Sequence, residues 1–361
     1  MISLSFLDVD AAGQADLPWP DVYFGPGYGR AVEASDGARW EVAVGEPGPF
    51  LYPYLKRVVD PDLIAEAGLG GPLVDLVSPY GYAGIWAPAG TPAAAWRAFR
   101  EAFRATARER GVVAELLRVG SLLEGQALLH GADAHLELRP HNETIAVELE
   151  GGHEAVFARA VPQWRNKVRK AAKGGHTPRT RVVTEADLAP GGAFRRIYDE
   201  TMERVEARPY YFFPDAYYTA LRDGLGDDLR IVEVVDAAGE VVAASLWMRW
   251  GELLHYHLAG SHRTAGRTGV MNQMVDAALA WASDAGLARV HLGGGLTADD
   301  ALFAFKAASG GRRLPFFTGR CVLDSETERA LTEARARRAG TSVEALRATG
   351  YFPAYRAPLP A

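Results

Sequence analysis

The sequence predicts an α/β protein of two domains, each a mixed, mainly antiparallel sheet with flanking helices. Three observations lead there. The chain has 361 residues, which suits two domains of about 150–200 residues better than one. The second half orders its apolar runs as strand-strand-strand-helix-strand-helix-strand, and the first half repeats that grammar loosely. Hydrophobic residues are 48% and charged residues 23% of the chain. That is enough apolar mass for sizeable cores and excludes disorder and collagen.

In chain order, Trp40–Val44 and Phe50–Tyr54 read as strands. A helix fits about Pro92 to Arg110, stopped by Gly111, and Val112–Leu117 and Thr144–Leu149 alternate as strands do. Glu150-Gly151-Gly152 is the best boundary, giving domains 1–150 and 151–323, with the option that 324–361 return to the first. In the second domain Leu229–Val235, Glu240–Met248 and Leu253–Leu258 are strands, separated by the turn Asp236–Gly239 and by Gly251. Turns that short imply an antiparallel meander. A loop with glycine and arginine, Ser261–Gly269, leads into a helix from Val270 to Ala285 with Gly286 as its C-cap. Arg289–Leu292 is a strand entering Gly293-Gly294-Gly295. A helix then runs about Asp299 to Ser309, its acid start suited to the dipole, and Phe316–Leu323 is the last strand.

Charge and composition narrow the function classes. The net charge of −6 leaves no global field for nucleic acid and none for DNA in particular. One cysteine, Cys321, excludes an internal disulfide framework and a multi-cysteine metal site, and points to a reducing, cytoplasmic setting. The N-terminus meets acid at Asp8 and does not read as a signal peptide, and no apolar run approaches a membrane span of about 20 residues.

Against that background residues 157–183 stand out. Arg159, Arg165, Lys167, Arg169, Lys170, Lys173, Arg179 and Arg181 occur there without one acid. Phe157, Val161, Trp164, Val168 and Ala172 keep a helical stripe, kinked or restarted at Pro162. The segment is either a solvated helix face or a phosphate site, with Arg165, Lys167, Arg169 and Lys170 as its candidates.

Other motifs are softer. Ser78-Pro79-Tyr80-Gly81-Tyr82-Ala83-Gly84 is a tight structural loop or a cleft floor, with Tyr80 and Tyr82 able to pack and to donate. Arg204 and Arg208 lie four apart, on one face if their helix extends so far, beside aromatic Tyr210–Phe213. Lys306 follows Phe303 and Phe305 just beyond a Gly-rich turn, where Phe303 and Phe305 would bury and the lysine would face a cleft. His255 and His257 share a parity and neighbour His291, but without matching carboxylates they read as core or cleft histidines, and no metal is assigned. Arg263-Thr-Ala-Gly266-Arg267-Thr-Gly269 approaches the loop that holds a coenzyme A pyrophosphate at a helix N-terminus, one residue too long.

Taken together, Ser78–Tyr82, the basic helix with Trp164, Thr201-Met-Glu-Arg204, His255-Tyr256-His257-Leu258, His291–Gly295 and Leu302-Phe-Ala-Phe-Lys306 occur in an order that resembles the Fem-like branch of the GNAT acyltransferase superfamily, from about Asp21 to Arg356. The resemblance implies two GNAT-like domains. It also implies transfer of an amino acid from aminoacyl-tRNA to an amine of a cell-wall precursor or an antibiotic-type metabolite. It places Lys306 near the reacting ester, and Arg204 or Arg208 at an acceptor phosphate. Two features depart from the family: the long coiled-coil arm of some cell-wall members is missing, and Ala308-Ser309 stand where an aromatic is expected.

The expected protein is a cytoplasmic, amide-forming acyltransferase with Lys306 as oxyanion stabiliser. Tyr80, Tyr82, Arg204, Arg208, Tyr256, His257 and Gly293-Gly294-Gly295 would bind substrate, and Arg165, Lys167, Arg169, Lys170, Arg263 and Arg267 tRNA or phosphate. No side chain is assigned as general base. No cofactor is bound permanently; aminoacyl-tRNA, or acyl-CoA in the alternative, is the co-substrate, and the acceptor is a small molecule or peptide. A non-catalytic ligand-binding module on the same fold is the alternative of another class.

Overall fold

Contacts divide the chain into two units, residues 1–141 with 316–361, and residues 142–315. The computed structural model describes residues 2–120, 122–123, 129–295, 297 and 300–358. The division falls at His141/Asn142, earlier than the Gly151 boundary expected from sequence. The reason is strand pairing: Thr144–Glu148 hydrogen-bond to a strand of the second unit, and Gly151-Gly152 merely turn the chain into the next helix. The chain returns at Phe316, ahead of residue 324, because Phe317–Val322 pair with a strand of the first unit.

The first unit runs β1 (Ser3–Asp8), α1 (Val9–Gln14), α2 (Pro26–Asp36), β2 (Arg39–Glu46), β3 (Phe50–Val58), α3 (Pro61–Glu66), β4 (Val74–Val77), α4 (Ala93–Glu109), β5 (Val112–Val119), α5 (Leu129–Ala132) and the opening of β6 (Glu137–Glu148). The second continues β6 and adds α6 (Gly152–Arg159), α7 (Pro162–Lys173), β7 (Thr177–Val182), α8 (Glu185–Leu188), α9 (Ala193–Arg204), α10 (Asp215–Leu225), β8 (Leu229–Val235), β9 (Val241–Trp250), β10 (Leu253–Ser261), α11 (Val270–Asp284), β11 (Arg289–Gly294), α12 (Ala301–Ala307) and the start of β12 (Arg312–Val322). Then α13 (Ser325–Arg338) and α14 (Val343–Ala348) complete the first unit.

Both units obey one plan. In the first, β1 to β4 pair antiparallel in sequence, and β4 and β5 pair in parallel across the crossover helix α4. In the second, β7 to β10 pair antiparallel, and β10 and β11 pair in parallel across α11. Parallel neighbours need such a crossover. β12 closes the first sheet on β5, and β6 closes the second on β11.

Each crossover helix buries one face. On α4 the spacing of Trp96, Phe99, Phe103 and Ala107 supplies it, with Arg100 in the same buried stripe. Arg100 is tolerated because Glu115 and Asp133 meet its guanidinium. On α11 the face is Met274, Val275, Ala278, Leu279 and Ala282, packed with Val290, Leu292, Trp247 and Trp164 in one core. The basic segment, expected as one helix, is the end of α6, then α7, then strand β7, which carries Arg179 and Arg181. Pro162 restarts the chain as the first residue of α7, where a missing N–H costs nothing.

Candidate functional site

β10 and β11 stay paired for three rungs only, the last being His255 with His291. Beyond it β10 follows β9 to Ser261, and β11 follows β6 to Gly294. A register shift in each strand, between Tyr256 and Leu258 and between His291 and Gly293, turns the two apart. The departing end of β10 is fastened to α9. Thr201 Oγ1 accepts the Ser261 N–H at 3.0 Å, and a Cβ on Gly260 would stand 2.6 Å from the Ile197 carbonyl oxygen. The Thr201-Met-Glu-Arg204 segment thus holds the wedge open. Glu200 beside it reaches His262 Nδ1 at 3.1 Å and accepts the Arg263 N–H at 3.1 Å.

Lys306 belongs to this wedge. Asp300 caps α12 by accepting the Phe303 N–H at 2.7 Å, so the helix begins where the expected acid start lay; Asp299 is outside the described residues. Phe303 and Lys306 are three apart and share the buried face of α12, whereas Phe305 is half-buried against Trp164, 5.1 Å between centroids. The expectation that Phe303 and Phe305 would both bury, with the lysine turned from them to a cleft, is therefore corrected, since Lys306 is only 6% exposed and shares the face of Phe303. Its Nζ donates to Gly294 O at 2.7 Å and lies 5.1 Å from the centre of the Tyr256 ring. Burial pulls its pKa down to about 7, partly opposed by Asp300. Such a group is a cation that gives up its proton near neutrality.

The histidines divide. His255 Nδ1 and His291 Nδ1 are 3.3 Å apart at the last paired rung, and burial holds His291 well below the usual histidine range. His257, at the bulge, places Nε2 2.5 Å from Tyr217 Oη, and burial pushes it down to about 3. His257 and His291 are therefore neutral core imidazoles. Among the described residues the side chains that do converge with metal-binding spacing are Glu115, Asp133 and Cys321 of the first unit, and Arg100 already fills that place.

The two cationic motifs, rivals in the sequence, meet at one place. Gly269, in the left-handed conformation, starts α11 and lies directly on the Lys167 backbone. Lys170 Nζ donates to Arg267 O at 3.1 Å. Lys167, Arg263 and Arg267 are exposed there, around an α11 N-terminus that no side chain caps, whereas Arg169, also exposed, lies over the Phe157 ring of α6 at 5.4 Å. Arg165 is partly spent, donating to Ala158 O at 3.0 Å.

Other expected residues lie elsewhere. α9 ends at Arg204, so Arg208 is not on a shared helix face; Arg204 bonds Thr201 and Glu200, and Arg208 is exposed. Tyr80 and Tyr82 belong to the first unit. Tyr28 donates to Tyr80 O at 2.8 Å, and Tyr82 meets Tyr23 and Phe316 edge-on. The first unit's counterpart of the wedge is latched: Ser78 N–H donates to Leu116 O and Ser78 Oγ accepts the Arg118 N–H, both at 2.9 Å. Sequence reasoning missed Thr201 and Glu200 as the wedge's fasteners, although the segment that opens with Thr201 was singled out. It missed Asn142 altogether, which donates to Gly295 O at 3.2 Å from 153 residues away and has no local signal.

Comparisons agree with this architecture. Residues 158–307 match the family described as an acetyltransferase (GNAT) domain. The fold is similar to that of FemX, at 13% identity and a TM-score of 0.61, covering 88% of this chain and 96% of that one. It is also similar to the C-terminal DUF2156 domain of a putative lysylphosphatidylglycerol synthetase from Agrobacterium fabrum (16%, 0.54, 90% and 93%). A third similar structure is L-PGS from Bacillus licheniformis (16%, 0.50, 75% and 83%). No curated protein matches by sequence. The chain is a GNAT-fold protein with two GNAT-like units, and its second unit carries the matched domain.

Proposed function

We propose that this GNAT-fold chain transfers an aminoacyl group from aminoacyl-tRNA to the amine of a small molecule or peptide, in the manner the Fem-like resemblance implies. The observation that carries the reading is the open β10/β11 wedge, with buried Lys306 at its Gly294 edge and an exposed cationic cluster at the adjoining α7/α11 junction. The neutral acceptor amine attacks the ester carbonyl, forming the C–N bond and a tetrahedral oxyanion. Collapse breaks the C–O bond to the ribose, and the amine's proton ends on that oxygen. Lys306, protonated, donates to the oxyanion in a dry setting where such a donor contributes most. The cluster of Lys167, Lys170, Arg263 and Arg267 receives the phosphates of the donor's acceptor stem. No protein group is needed to carry the proton away, since substrate oxygens and water can do so.

A second reading rests on the α11 N-terminus. Its uncapped N–H groups, with Arg263 and Arg267 exposed beside it, also suit a coenzyme A pyrophosphate. The test is equilibrium binding of a charged tRNA pool and of acetyl-CoA, followed by single-turnover loss of the donor with a panel of amines. Lys306→Ala should keep binding and lose about 10²–10³ in turnover. Binding of acetyl-CoA alone moves the assignment to the second reading. Wild-type turnover in Lys306→Ala removes Lys306 from the mechanism, and binding without any turnover supports a ligand-binding module.

A further inference from the structure

The Lys306 ammonium is oriented by one hydrogen bond, to Gly294 O, and no carboxylate pairs with it among the described residues. Whatever fixes that carbonyl therefore fixes the ammonium. The carbonyl lies in Gly293-Gly294-Gly295, the softest backbone available, with Gly293 at φ +71°. Gly293 and Gly294 pair with Ile145 and Thr144 of β6, and three further contacts among the described residues restrain the run. A Cβ on Gly294 would stand 2.6 Å from Glu143 O, so that peptide rests on β6. Gly295 rests on the Asp300 side chain, which also accepts the Thr297 N–H at 3.0 Å. The third contact is Asn142, whose Nδ2 donates to Gly295 O at 3.2 Å. Its Oδ1 is buried without a hydrogen-bond partner. A buried amide oxygen left unpaired is a cost that ordinary packing would have removed, and it calls for an explanation.

We propose that Asn142 is a positioning residue for Lys306, acting through the Gly295 backbone that follows the Gly294 carbonyl; the inference rests on the role given to Lys306 above. Pinning Gly295 O restrains the backbone where the β6 ladder ends, and so keeps Gly294 O aimed at Nζ. The carboxamide suits this task in chemical detail. It presents a neutral donor to the carbonyl, whereas a carboxylate there would oppose the Gly295 oxygen and place an anion near the ammonium. Neighbouring charge is accounted for: Glu143 on β6 is paired with Arg313 at 3.0 Å, and Arg313 stacks on Phe303 at 4.9 Å. Asp300 is the remaining acid near Lys306, and the imidazoles of His255 and His291 face the wedge's apex.

The experiment compares wild type, Asn142→Ala and Asn142→Asp in the full chain. Competitive acetic anhydride labelling, read by mass spectrometry of the Lys306 peptide across pH, measures the midpoint at which this lysine becomes nucleophilic. That readout needs no substrate. Asn142→Ala should lower the midpoint further, because the buried ammonium loses its fixed acceptor, whereas Asn142→Asp should raise it by about one unit or more because it adds an anion. In single-turnover transfer both should lose about tenfold to hundredfold in rate with donor binding kept, as expected for a misplaced catalytic cation. Circular dichroism and thermal unfolding show which variants are folded; Asn142→Asp, nearly isosteric, keeps the test available if alanine is not. An unchanged midpoint in a folded variant overturns the proposal, even where the rate falls, because a merely structural residue would do that. A midpoint shifted as expected, with Lys306→Ala still active, sustains the positioning role and overturns the catalytic one.

Discussion

Lys306 sets a cost against a use. Folding moves its pKa from 10.5 to about 7 through burial. The unfolded chain therefore binds the proton more tightly, and between about pH 7 and 10.5 stability rises with pH. At and below neutrality the penalty is fully present. Lys306→Met, which removes the charge and keeps the volume, should stabilise the protein at pH 7 by on the order of 2–3 kcal/mol, with the gain fading as pH approaches 10. Chemical denaturation at pH 7 and pH 9.5 measures it, and equal gains at both would refute the burial argument. In catalysis the same group must be protonated to meet an oxyanion. The transfer rate should accordingly fall as pH rises through about 7. Lys306→Arg should restore only part of the rate, without that falling limb, since guanidinium stays charged.

The decisive elements are the paired helices around the wedge. Gly269 on the Lys167 backbone and the Lys170–Arg267 bond make α7 and the start of α11 one cationic edge. If RNA binds there, charge reversal at Lys167, Arg169 and Lys170 should weaken tRNA binding and lower the slope of log K against log salt by about one for each lost phosphate contact. A filter-binding titration over salt decides it, and an unchanged slope would make α7 a solvated face. Further along α11, Asp276 accepts from His153 of α6 at 3.1 Å, and that hydrogen bond raises the histidine's pKa above its ordinary 6.5. A raised value means stabilisation that is complete below pH 6.5 and lost as pH rises through the folded value. Thermal melts at pH 5.5 and 8 should show His153→Gln costing stability at the lower pH only.

At the scale of the whole molecule, the chain's last segment is structural. Asp75 of β4, fully buried, is met by Arg57, Arg356 and Tyr355, and Arg356 also donates to Val58 O at 2.7 Å. Tyr355 joins Leu63, Ile64, Val113 and Leu331 in a small core of the first unit. Ending the chain after Gly350 strands Asp75 with one partner and uncovers that core. The first unit should then lose about 3–5 kcal/mol, as when a buried ion pair loses a member. Hydrogen exchange should report it in β3, β4 and α3, while β8 to β11 of the second unit keep their protection. Arg100→Ala should act on the same unit more severely, leaving Glu115 buried without its cation and Asp133 with Arg104 alone.

Much of this was legible beforehand because it is local. Period-2 and period-3.6 apolar patterns placed β8 to β11, α4 and α11 close to their observed bounds, and Pro162 marked the restart of the basic helix. Motif order resembles that of the GNAT superfamily, whose domain model matches residues 158–307. What stayed hidden is what depends on partners distant in sequence. Arg100 reads as a break in an apolar stripe until Glu115 and Asp133 are found opposite it. Arg204 and Arg208 share a spacing but not a helix, because Pro209 follows where α9 has already ended. The type and order of Lys306's neighbours were set by the sequence alone. Its burial, its hold on Gly294 and its low pKa were decided only when two strands diverged around it, because desolvation is a property of the space a chain encloses and not of the chain.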